Sequence, residues 1–279
     1  MKNKEQKDHQ IELEQKSSEV EAGKKHSDIL SRVIHEGEEI FKLKSKSTFL
    51  SALIAGLEIG FSYVMICTLY ELLMGTYPEG VVYKWFSLVY PIGFILVVLG
   101  KSALFTEQTS LLALPVLNGQ RSLAQMFRVW GVVISGNLLG GILFSFFIAA
   151  LAPALGLFTT ETMAKVGTHI VDYAAWVILL SAIAAGWLMG LLTWLLNSTS
   201  NSLTRLTVVV IITGVIGFGG FHHSIVGNIE AFGALLYSDS ISFLDYLRFL
   251  GLALLGNSLG GAVVVGLFKY RIFATNFYG

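Results

Sequence analysis

The chain has 279 residues and a formal net charge of zero, yet only 14% of it is charged and 54% is hydrophobic. Its mean hydropathy is +0.67. A soluble domain carries roughly 25% charged residues, so the composition excludes water as the solvent of most of the chain. A single cysteine, Cys67, excludes an internal disulfide and cysteine-based metal clusters. No nucleic-acid partner and no cofactor are expected.

In chain order, the first 46 residues hold 10 of the 19 Lys and Arg and 10 of the 19 Asp and Glu. They contain no short apolar core of a signal peptide, so this segment is read as retained. From Ser27 to Leu43, the residues Ile29, Leu30, Val33, Ile34, Ile40 and Phe41 recur at helical spacing. They predict a polar tail followed by an amphipathic helix at the membrane surface. Ser47–Met74 is apolar apart from Glu58 and Glu71. Five windows then lack any charge: Trp85–Gly100, Val129–Ala152, Tyr173–Leu196, Thr207–Ile229 and Phe249–Phe268. Most reach the ~20 residues that cross the ~30 Å hydrocarbon layer. The expectation is an all-α integral membrane protein with six spans over residues 47–272, halves at about 47–153 and 173–272, and a short tail over 273–279.

Six spans put both termini on one side. With the first 46 residues that side carries Arg121, Arg128, Arg205, Lys269 and Arg271, against Lys84, Lys165 and Arg248 on the other. The bias of positive charge toward the cytoplasm predicts cytoplasmic termini in the cell's inner membrane.

The third and sixth spans repeat a motif. Ile134–Phe144, ISGNLLGGILF, answers Leu254–Val264, LLGNSLGGAVV, and aligns Asn137 with Asn257. Three spans per half give the halves opposite orientations, the inverted-repeat plan of channels and transporters. Under that plan the second and fifth spans break at matching places. Gly100–Thr109, GKSALFTEQT, interrupts the second, and a short apolar piece then ends at Pro115. In the fifth, Gly217, Gly219 and Gly220 precede Phe221, His222 and His223. Non-helical backbone at that depth requires protein or a water-filled cavity around it, so both breaks are expected to line one path.

These residues resemble the formate/nitrite transporter family, whose fold is similar to that of aquaporins. Leu104–Thr106, LFT, resembles the family signature on the loop of the second helix, and Gly220–Ser224, GFHHS, resembles GFEHS on the fifth. The pairs Gly136–Asn137 and Gly256–Asn257 match as well, and the similarity runs from about Ser47 to Tyr270. The resemblance implies a homo-oligomeric ring, usually a pentamer, with one pore in each protomer. It implies that Thr106 and His223 face each other at the pore centre, with Asn257 near the histidine. Leu104, Phe105, Tyr90, Phe94 and Ile216 then form apolar constrictions.

The departures carry information. The family's acids before LFT and before the histidine are Ala103 and His222 here, while Glu58, Lys101 and Glu107 stand nearby. An intramembrane carboxylate is costly and usually functional, so Glu58 is expected to pair with His222 or Lys101. The family's vestibule lysine aligns with Ile170, leaving His169 or Lys165 as substitutes.

The chemistry follows from electrostatics. Moving a bare anion into a low dielectric costs ~20 kcal/mol in the idealised limit. Protonating a carboxylate of pKa about 3.5 at pH 7 costs only ~4–5 kcal/mol. Histidine is suited to that duty, and Thr106 can donate or accept a hydrogen bond. The expected function is a pH-dependent channel, or proton-coupled facilitator, for small monovalent acids and their anions. Formate is expected first, with lactate and acetate next and nitrite or hydrosulfide as alternatives. A membrane enzyme would need metal ligands from the histidines, Glu58, Asp172 and Glu230, but the His222–His223 pair lacks the HExxH spacing. An aquaporin-type pore would carry Asn-Pro-Ala boxes at the breaks, and neither is present. A pH sensor without transport, using His35, His169, His222 and His223, is the remaining alternative.

Overall fold

The structure, a computed structural model, describes residues 26–278, with side chains over residues 28–273. The polar tail expected before residue 26 lies outside the described residues. An amphipathic helix α1 (His26–Lys42) comes first, followed by α2 (Ser45–Leu73), the first span. The second span is assembled from α3 (Glu79–Trp85), a 3-10 turn (Phe86–Leu88) and α4 (Pro91–Gly100), and a half-helix α5 (Phe105–Leu117) follows. Span three is α6 (Leu123–Leu155), and α7 (Thr160–Val171) connects the halves. Span four is α8 (Ala175–Ser198) and span five is α9 (Ser202–Gly219), followed by the half-helix α10 (Ser224–Tyr237). Span six combines α11 (Phe243–Ser258), a π-helical stretch (Leu259–Leu267) and the start of α12 (Phe268–Tyr278). The expected tail from residue 273 is thus helical as far as Tyr278.

Local chemistry sets many of these boundaries. Ser122 with Gln125, and Ser242 with Asp245, form capping boxes at the starts of α6 and α11. Pro91 occupies the first turn of α4, where its missing N–H costs nothing. Gly156 ends α6 in the left-handed conformation. The spans carry exposed Leu, Phe and Trp, among them Leu143, Phe147, Trp187 and Phe218, as a lipid-facing surface requires.

Small residues bring the spans together. A Cβ on Gly56 of α2 would overlap the Asn137 carbonyl of α6, and one on Gly186 of α8 would overlap the Asn257 carbonyl of α11. These crossings put each asparagine beside a helix break. Around them lies the main apolar core, with Ile59, Tyr63, Phe94, Leu104, Phe105 and Ile216 at its heart.

Two local expectations change. The first break is shorter than Gly100–Thr109: only Lys101–Leu104 is non-helical, and Phe105–Thr109 already belongs to α5. That helix also continues through Pro115 to Leu117. The amphipathic helix α1 packs on protein rather than only on a membrane surface. Its Ile29, Leu30 and Val33 cluster with Leu111 and Leu114 of α5, Trp194 of α8 and Phe273 of α12. Glu38 accepts from Arg121 in a bidentate ion pair, 2.7 Å at its shortest.

Candidate transport site

The two breaks are built from the same bonds. At the first, the Phe105 N–H donates to Asn137 Oδ1 at 2.8 Å, while Asn137 Nδ2 donates to the carbonyls of Ala52 and Ala103 at 2.7 and 2.9 Å. At the second, the Ser224 N–H donates to Asn257 Oδ1 at 2.7 Å, while Asn257 Nδ2 donates to the carbonyls of Ala182 and His222 at 2.8 and 3.0 Å. A serine completes each set. The Ala103 N–H donates to Ser51 Oγ, and the His222 N–H donates to Ser181 Oγ. Lys101 (φ 57°) and Gly220 (φ 64°) make the same left-handed turn at the end of the preceding helix. Asparagine suits this place because one carboxamide carries both an acceptor and two donors.

This wiring aims the N-termini of α5 and α10 at each other. Thr106, in the first turn of α5, and His223, the N-cap of α10, meet where Thr106 Oγ1 and His223 Nε2 lie 2.8 Å apart. Both are buried, at 0% and 2% exposure. The remaining bonds assign the histidine tautomers. His223 Nδ1 accepts from the Val226 N–H, so the neutral ring carries its proton on Nε2 and donates to Thr106. Ser181 Oγ accepts from the His222 N–H and donates to His222 Nδ1 at 2.7 Å, leaving Nε2 to donate to the Ile170 carbonyl at 3.1 Å. His223 is therefore held as a neutral donor to Thr106, and His222 Nε2 as a donor to Ile170.

Apolar rings close over the pair. The Phe94 ring meets His223 edge-on at 5.0 Å, and Tyr90 stacks on Phe94 at 5.4 Å. Beyond them, toward α7, lies a cavity of about 60 Å³, room for a handful of waters. Tyr90, Ile216, His169, His222, His223 and Glu230 are among its lining residues. At its mouth His169 stacks on Tyr83, centroids 3.7 Å apart. Burial holds the His169 imidazole below its ordinary range.

Several expected site residues lie elsewhere. Asn257 does not face the cavity: its carboxamide is fully engaged with backbone, so it positions the histidines. Glu58 pairs with neither expected partner. Its carboxylate lies near Gly100 with Oε2 buried and unpartnered, and His222 is committed to Ser181 and Ile170. Lys101 is exposed at the end of α4, away from the cavity lining. The reason is rotational: equal depth along two helices says nothing about which faces meet. Lys165 lies at the rim of the wider groove outside His169, paired with Glu161 at 2.9 Å. Leu104 and Phe105 are buried at the first break, with Phe105 edge-on to Trp130. Sequence reasoning offers Glu230 only as a ligand that a membrane enzyme would need. Its signal was its spacing, seven residues after His223 and so two turns along the same face. Among the described residues no group of three or more His, Cys, Asp or Glu side chains converges as a metal site.

The comparisons with known proteins agree with this architecture. The family model described as formate/nitrite transporter matches residues 27–271. The chain is 28% identical to inner membrane protein YfdC of Escherichia coli, over 94% of this chain and 87% of that protein. Among solved structures, an ion channel of the same family superposes with a TM-score of 0.80 at 22% identity, over 88% of this chain and 99% of that one. A pentameric formate channel with formate bound superposes with a TM-score of 0.71 at 23% identity, over 82% and 98%. Six apolar helices, two half-helices meeting at Thr106 and His223, and a family match across nearly the whole described chain lead to one conclusion: this protein belongs to the formate/nitrite transporter family.

Proposed function

We propose that the chain is a pH-dependent channel, or proton-coupled facilitator, for small monovalent acids and their anions, formate first and then lactate and acetate. The observation that carries this reading is the Thr106–His223 contact where two half-helix N-termini meet beneath an apolar collar. Each N-terminus presents about half a positive charge, so the centre favours an anion without any lysine. The collar of Phe94, Tyr90 and Ile216 opposes a bare ion. Between ~20 kcal/mol for the ion in the idealised limit and ~4–5 kcal/mol for protonation at pH 7, the neutral acid is the cheaper species through the collar. Thr106 and His223 then exchange their mutual hydrogen bond for bonds to the passing solute.

The family description and the formate-bound neighbour support formate and a ring of five protomers. In this reading α1 and both termini face the cytoplasm, the α7 side faces outward, and His169 stands at the outer mouth. The test is radiolabelled formate uptake into proteoliposomes across external pH, wild type beside His223→Asn. Uptake that rises as external pH falls, and changes with the substitution, supports the reading. If formate shows no saturable or pH-dependent flux, the substrate is wrong and lactate, nitrite and hydrosulfide are screened next. No flux for any of them overturns transport in favour of a pH-sensing role.

A further inference from the structure

The α7-side cavity holds a carboxylate that the histidine mechanism does not use. Glu230 is 7% exposed and lines this cavity, and among the described residues no group hydrogen-bonds its carboxylate. It is absent from the fully enclosed unpaired atoms, where Glu58 Oε2 is found, so its oxygens open on the cavity itself. No lysine or arginine lines the cavity to neutralise it. The titratable groups that face it are Tyr63 and Cys67 from α2, Tyr83 from α3, Tyr90 before α4, His169 from α7, Tyr173 after α7, and His222 and His223 from the second break.

Such a group conflicts with simple anion passage. An ionised Glu230 would repel every anion entering from the α7 side, with no lysine or arginine in the lining to offset it. The histidines offer no substitute as they stand. A neutral imidazole must first gain a proton before it can give one up, and at His223 that proton would go to Nδ1, displacing the Val226 N–H that caps α10. At His222 it would go to the nitrogen that accepts from Ser181. Glu230 needs no broken hydrogen bond to accept or release a proton.

Building on the transport reading, we propose that Glu230 is the proton-holding residue of the outer cavity and a specificity-determining residue for weak acids over strong-acid anions. In the step, the O–H bond of the Glu230 carboxylic acid breaks and an O–H bond forms on the incoming weak-acid anion. The neutral acid moves past Phe94 to His223 and Thr106. The Glu230 carboxylate left behind takes a proton from hydronium at the His169 mouth, releasing water, and outward passage runs the same exchange in reverse. A strong-acid anion such as nitrate cannot accept the proton and so reaches the Phe94 collar still charged.

The test uses the full-length protein in proteoliposomes with radiolabelled formate and with nitrate. Wild type is expected to carry formate with uptake rising as pH falls, and to exclude nitrate. Glu230→Gln is expected to lose at least tenfold in formate uptake at pH 7 and to flatten the pH profile, with nitrate still stopped at the collar, while Glu230→Asp recovers the wild-type pattern. A Glu230→Gln protein with wild-type rate and pH profile overturns the assignment. Wild type that carries no weak acid overturns the transport reading instead. Infrared difference spectra keep the assignment testable if Glu230→Gln fails to assemble. A carboxylic C=O band that responds to formate is expected in wild type and at a shifted position in Glu230→Asp. Its absence from wild type, or an unchanged position in Glu230→Asp, overturns the assignment.

Discussion

Replacing Asn257 by alanine isolates the energetics of the second break. The side chain is fully buried and makes three bonds of 2.7–3.0 Å, to the Ser224 N–H and to the carbonyls of Ala182 and His222. Interhelical hydrogen bonds in membranes average ~0.6 kcal/mol, because the unfolded chain in lipid also finds partners, so three set a floor of about 2 kcal/mol. The Ser224 N–H and the His222 carbonyl are also stranded without water, and each orphaned buried group adds about 1–3 kcal/mol. The expected cost is therefore about 4–8 kcal/mol. At ~2–4 °C per kcal/mol for a protein of 150–250 residues, the melting midpoint in detergent falls by at least about 8 °C. Asn137→Ala is expected to cost the same within about 1 kcal/mol, since it carries the same three bonds at the first break. The two variants differ in transport: Asn257→Ala disturbs His222 and His223, whereas Asn137→Ala disturbs Phe105 and Thr106. A midpoint within 2 °C of wild type for either variant would refute the claim that these carboxamides hold the breaks.

Other substitutions probe separate links. Thr106→Val removes the hydroxyl beside His223 Nε2 and leaves that donor unpaired, a cost of about 1–3 kcal/mol; thermal shift and formate flux should both fall, and Thr106→Ser should restore them. Lys101→Gly relieves a left-handed residue of about 1–2 kcal/mol, less the added entropy of glycine, so chemical denaturation should find it at least as stable as wild type. The Arg121 guanidinium donates to Glu38 and holds its carboxyl below the usual carboxylate range. That contribution to α1 docking is complete above the ordinary value of about 4.3 and is lost as pH falls through the lowered folded value. Protection of α1 amides, measured against their intrinsic exchange at each pH, should therefore fall in acid for wild type and already be low at pH 7 in Arg121→Gln.

The large features were legible because each rests on a local rule. Uncharged windows give the spans, the glycines before Phe221 give the second break, and the Asn137–Asn257 repeat points to the pairing of the halves. Helical spacing from Ile29 to Phe41 gives the amphipathic face of α1, but not its covering by Leu111, Leu114 and Trp194, since an apolar stripe fits protein as well as lipid. Glu58 failed for the same kind of reason: depth is additive along a helix, whereas a partner depends on rotation about it. The first break looked longer than it is because Glu107 in mid-membrane reads as a loop residue. Its side chain, like Pro115 further on, is accommodated within α5 by the helices packed around it.

The half-helices have a consequence for how the chain enters a bilayer. At 13 and 14 residues, α5 and α10 fall short of the ~20 needed to cross unaided, so neither is a competent insertion unit as it leaves the ribosome. Each also waits for its anchor. The Phe105 N–H precedes Asn137 by 32 residues, and the Ser224 N–H precedes Asn257 by 33. Until those asparagines arrive, each nascent half holds an interrupted segment with bare backbone groups that lipid cannot solvate. Biogenesis therefore divides into two successive waiting periods of nearly equal length, each ended by the synthesis of a single carboxamide.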